Sequence, residues 1–90
     1  MSYVLGVLLI VDEGMWEKVK EIGELYIGVR IIRRDGKRML CEIGTTVLED
    51  DVNFDKVLEE AYRVKLGEVF SKYGKVVGYT ITEMIRGGEA

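Results

Sequence analysis

The run from Val4 to Val11, VLGVLLIV, has no polar side chain at any position. It is far shorter than the ~20 residues a membrane-spanning helix needs. Eight residues rich in Val, Leu and Ile are also too few for a helix, so the run reads as a strand covered on both faces. Such a strand belongs in the middle of a sheet, and the rest of the chain must supply its neighbours.

The neighbours are legible. Tyr26 to Arg34 and Lys37 to Leu48 are β-rich runs on either side of Asp35-Gly36, a strong hairpin signal. A two-residue loop pairs Ile31 with Leu40 and Val29 with Glu42. A three-residue loop, Arg34-Asp35-Gly36, pairs Ile31 with Met39, Val29 with Cys41 and Ile27 with Ile43. The second register brings the apolar partners onto one face and is the one expected. A fourth strand runs from Lys75 to Arg86, with Val77, Tyr79, Ile81 and Ile85 on one face.

Between strands one and two, Asp12-Glu13-Gly14 offers a cap. Met15, Val19, Ile22 and Tyr26 then recur at helical spacing, with Glu17, Lys18, Lys20 and Glu21 opposite, which predicts a short helix ending near Gly23. Glu49 to Asn53 breaks strand three and caps a longer helix running to about Tyr73. Two apolar stripes lie on that helix, Phe54, Val57, Leu58 and Ala61, then Leu66, Val69, Phe70 and Tyr73, rotated by roughly 120° at 100° per residue. Either the helix kinks near Gly67 or the second stripe meets another subunit.

The order β-α-β-β-α-β predicts an α+β fold of the ferredoxin-like βαββαβ type, a four-stranded antiparallel sheet with two helices on one face and strand order 4-1-3-2. Ninety residues without proline, repeat or linker read as one domain, 1–90, with 87–90 as a frayed tail. Fold alone says little about function.

The sheet face away from the helices is the first candidate site. The expected register puts Gly28, Arg30 and Ile32 there with Tyr26, beside Leu40, Glu42, Gly44 and Thr46 and residues Val76, Gly78, Thr80 and Thr82 of the last strand. With Gly6, every strand then brings one glycine to this face. Either these are bend points, with Tyr26 packing over Gly44, or a second subunit or a flat apolar ligand approaches closely at Gly28, Ile32, Leu40, Gly44 and Gly78.

The second candidate is the hairpin. Arg30, Arg33, Arg34, Lys37 and Arg38 against Asp35 give +4, leaving −7 for the remainder of a chain of net charge −3. Such a tip suits phosphate binding, yet edge strands commonly carry Lys and Arg as protection against pairing, and an acidic body repels nucleic acid. Strand three has no aromatic residue on which bases could stack.

Catalytic and cofactor chemistry finds little purchase. With no histidine the commonest general base is missing, and Cys41, the single cysteine, falls between Met39 and Ile43 on the helix side. No metal or disulfide framework, phosphate loop or dinucleotide fingerprint is present. The acidic residues Glu49, Asp50, Asp51 and Asp55 are placed for helix capping. Abundant Glu, Lys and Arg with no Gln and one Asn match heat-adapted usage. Without a basic leader after Met1, the expectation is a cytoplasmic, non-catalytic, cofactor-free homo-oligomer, a dimer or larger, with assembly or ligand-binding duties. The alternative is a nucleic-acid-binding accessory protein; a membrane partner is not expected.

Overall fold

The computed structural model describes residues 1–84; Ile85 and the 87–90 tail lie outside the described residues. Strand β1 (Tyr3–Asp12) leads through a 3-10 turn (Glu13–Met15) into α1 (Trp16–Leu25). The hairpin β2 (Gly28–Asp35) and β3 (Arg38–Leu48) follows, then α2 (Phe54–Arg63), a 3-10 segment (Leu66–Phe70) and β4 (Lys75–Glu83). The four strands form one antiparallel sheet in the order β2-β3-β1-β4. The all-apolar first strand therefore occupies a central place, as its sequence requires. No helix among the described residues is long and apolar enough to cross a membrane.

Alternation on β1 divides the molecule into two faces. Leu5, Val7, Leu9 and Val11 are buried under the helices, together with Met39, Cys41 and Ile43 of β3, Val19 of α1, Ala61 of α2 and Phe70. Val4, Leu8 and Ile10 point to the other face, where they are only partly buried.

Three strands carry an extra residue, and each bulge corrects an expected register. In the hairpin Asp35 pairs with Arg38, so the loop is Gly36-Lys37, with Gly36 at φ 61°. Ile32 bulges, and beyond it Arg30 pairs with Glu42 and Gly28 with Gly44. The pairing is thus two residues away from the expected one, and an offset of two leaves each side chain on its face. On β3 the bulge at Thr45 turns Thr46 to the helix side and Val47 to the open side. On β4 the bulge at Val77 puts Val76, not Val77, under the helices.

The expected long helix is broken, and the break is at Lys65, not Gly67. Lys65 adopts the left-handed conformation (φ 55°, ψ 47°), which turns Leu66, Phe70 and Tyr73 back to the core. Gly67 instead marks a close approach: its N–H donates to the Tyr79 hydroxyl at 2.8 Å. Asn53 caps α2 as expected, its Oδ1 accepting from the Lys56 N–H at 3.2 Å. Asp12 makes no side-chain cap bond, and α1 starts instead after Met15.

Candidate functional site

Three lateral rows of the sheet build the open face. The first, from β2 to β4, is Gly28, Gly44, Gly6, Thr80; the second is Arg30, Glu42, Leu8, Gly78; the third is Arg33, Leu40, Ile10, Lys75. Val47 and Val4 continue the apolar surface beyond the glycine row. Both helices pack on the opposite face, so no described element lies over these rows.

Glu42 is the chemical centre of the face. It is the one buried charged residue among those described, with 8% of its surface exposed. Arg30 Nε donates to Glu42 Oε1 at 2.9 Å. On the far side of β1, the Thr80 hydroxyl donates to Oε2, and the Thr82 hydroxyl approaches the same oxygen at 3.4 Å. Burial pushes the carboxyl pKa up, but the Thr80 bond, the Arg30 bond and charge, and Thr82 together outweigh it and hold the value below normal. The result is a carboxylate that stays ionised and has its polar needs met inside the chain. It has no proton to give near neutrality, which disfavours a general-acid role.

The glycines of this face turn out to have separate causes. Gly6 lies under the Glu42 side chain: a Cβ there would sit 2.8 Å from Glu42 Cγ and 2.7 Å from Thr80 Oγ1. Gly28 has φ 117°, a conformation that other residues rarely adopt, where the chain swings from α1 into β2. Gly44 is covered by Ile27 and Val4 rather than by Tyr26, whose ring packs against Phe70 at 5.3 Å instead. Space is open beside two of them: nothing lies within 4 Å of a Cβ built at Gly28, and at Gly78 the nearest atom is Leu8 Cδ1 at 3.9 Å. Four glycines on one face therefore do not by themselves point to a visitor.

Of the other expected interface residues, Leu40 lies in the third row beside Ile10, and Ile32 is 44% exposed at the β2 bulge. The basic residues separate. Arg30 is tied to Glu42, whereas Arg33, Arg34, Lys37 and Arg38 are exposed and have no carboxylate within 4.0 Å among the described residues. Arg33, Arg34 and Arg38 line a hollow of about 280 Å³ with Ile10, Met39 and Leu40. Acidic groups crowd this end: Arg38 has Asp35 and Asp12 as its strand partners, and the Glu13 N–H donates to the Lys37 carbonyl at 2.8 Å.

Cys41 is fully buried, its thiol near the Leu9 carbonyl at 3.4 Å, and burial pushes its pKa up to about 11. It is not an available nucleophile. Nowhere among the described residues do three His, Cys, Asp or Glu side chains gather in a way that would hold a metal.

A larger concavity of about 550 Å³ lies on the helix side, beneath α2. No residue pattern announces it, because it arises where β3 outruns both β2 and α1. Comparison of this chain with protein-family models, curated proteins and solved structures finds no match.

Proposed function

We propose that this chain is a non-catalytic ferredoxin-like sandwich that self-associates in the cytoplasm by burying its open sheet face against another copy. The order β2-β3-β1-β4, taken from the opposite edge, runs 4-1-3-2, which supports that fold assignment. One observation carries the functional reading. Leu40, Ile10 and Leu8, with Val4 and Val47, form an apolar surface that no described element covers, and the single carboxylate among them is already neutralised and hydrogen-bonded. Burying an unpaired charge costs several kcal/mol, so an internally satisfied Glu42 removes that penalty from the middle of the face, while Arg33 and Lys75 lie on the edge strands, where long side chains can keep their charges in water.

The experiment is the molar mass in solution at low and high salt, by light scattering after gel filtration. A dimer or larger species that persists in high salt supports an apolar interface. A monomer at both salt concentrations removes the reading.

A second reading rests on four cations of the hairpin, Arg33, Arg34, Lys37 and Arg38, which have no ion-pair partner among the described residues and suit a nucleic-acid backbone. The neighbouring Asp12, Glu13 and Asp35 dilute that charge, which is why self-association stands first. A salt-sensitive gel shift abolished by replacing Arg33, Arg34 and Lys37, with the oligomer intact, would reverse the order.

A further inference from the structure

We infer that the cleft beneath α2 is a binding site for an amphiphilic carboxylate, with an apolar chain in the cleft and its head group at Lys56 and Asn53. The cleft exists because elements of unequal length meet there. Strand β2 begins at Gly28 opposite Gly44, while β3 continues to Leu48, and α1 ends at Leu25. The far end of β3 thus has no neighbour on its β2 side, and α2 with the residues that flank it, Val52, Val64 and Leu66, forms the wall above it.

The walls select an apolar body. Leu5, Leu48, Val57, Ala61, Val64 and Leu66 line a space of about 550 Å³, within the ~300–1,000 Å³ typical of small-molecule sites. The polar groups select the head. Glu60 lines the cleft but is engaged by Arg63, whose Nε donates to it at 2.8 Å. The Asn53 Oδ1 is occupied by the Lys56 N–H. Uncommitted among the described residues are the side-chain amide N–H of Asn53, the Lys56 ammonium, which has no carboxylate within 4.0 Å, and the Thr46 hydroxyl, which can donate. The Asn53 and Glu60 side-chain acceptors are taken and these donors are free, so a carboxylate fits the site better than an ammonium does. Asn53 and Lys56 sit at the N-terminus of the ten-residue α2, where negative charge is favoured. The cleft is on the helix side of the sheet, so the inference stands or falls separately from self-association.

Decanoate and decyltrimethylammonium, kept below their micelle concentrations, and 1-decanol, kept below its solubility limit, are the probes, titrated by calorimetry with NMR shift mapping. Decanoate should saturate one site with shifts at Leu48, Val57 and Ala61, decanol should bind about tenfold more weakly, and the cation more weakly still. Lys56→Gln should bring decanoate down to the decanol level. Thr46→Phe, at an exposed strand position that lines the cleft, should fill it and abolish binding of all three probes. If that variant does not fold, Val64→Trp at the half-exposed rim carries the same expectation. The inference is overturned by the lack of saturable binding, by equal affinity for anion and cation, by binding that survives the filled cleft, or by shifts confined to the open sheet face.

Discussion

The Glu42 carboxylate of β3 passes over Gly6 of β1 and accepts a hydrogen bond from Thr80 of β4, so one side chain links three strands across the open face. The crossing needs the space that a side chain at position 6 would take.

Gly6→Ala should therefore cost about 1–3 kcal/mol, the usual range for overpacking, because its Cβ would stand 2.8 Å from Glu42 Cγ. In a Glu42→Ala, Thr80→Ala background the same change should cost far less, since both obstructing side chains are gone. Urea unfolding of the four proteins measures the coupling. Equal costs in the two backgrounds would show that the crossing does not govern position 6.

Acid should act through the same network. A carboxyl held below its usual value of about 4.3 contributes its full stabilisation above that value and loses it as pH falls through the lowered folded value. Glu42→Gln should cost about 1–3 kcal/mol at pH 7, and the gap to the parent should narrow as pH drops from 5 towards 3. Glu60, also held low by Arg63, is present in both proteins and cancels. A gap independent of pH would show that Glu42 is not the titrating group.

At Lys65 the left-handed backbone makes glycine the better residue. Lys65→Gly should raise stability by about 0.5–1 kcal/mol, because the side chain is exposed and its one ion pair among the described residues, with Glu68, is 3.9 Å long. Thermal unfolding checks the sign, and a lower melting temperature would show that the break between α2 and the 3-10 segment is held by other contacts.

These features explain what the chain's chemistry reveals in advance and what it hides. Central placement of β1 follows from VLGVLLIV, because no other site tolerates so many apolar side chains. The helix break follows from two stripes that one straight helix cannot aim at one core, although glycine drew attention to position 67 when Lys65 makes the turn. The Arg30–Glu42 pair was hidden by the bulge at Ile32: the expected register set Arg30 opposite Leu40 and Glu42 opposite Gly28. Bulges depend on twist and packing across the sheet, which alternation along a strand does not encode. One signal was readable, a lone Glu between Leu40 and Gly44 on a strand face that is otherwise free of charge beyond Arg38.

Cys41 should be inert in the folded protein. With its thiol buried and its pKa pushed up to about 11, less than about one part in a thousand is thiolate at pH 7.5. Reaction with a disulfide reagent should be negligible until denaturant unfolds the chain, then complete. Rapid labelling without denaturant would mean that β3 opens locally.

Leu40 tests the assembly most directly. It sits beside Ile10 in the row farthest from the glycines, on the face whose apolar residues have no cover, and it touches neither the Glu42 network nor the helix-side core. In a monomer, Leu40→Asp would place a carboxylate in water on a half-exposed strand, at a cost of about 1 kcal/mol or less. In an oligomer the same carboxylate would be taken out of water with exposed Arg33 as its cross-strand neighbour, and the desolvation cost should still weaken association at least tenfold. Light scattering and thermal unfolding of the same sample separate the cases. A folded Leu40→Asp monomer from a parent oligomer places the interface on this face, whereas a folded oligomer of unchanged mass moves it elsewhere.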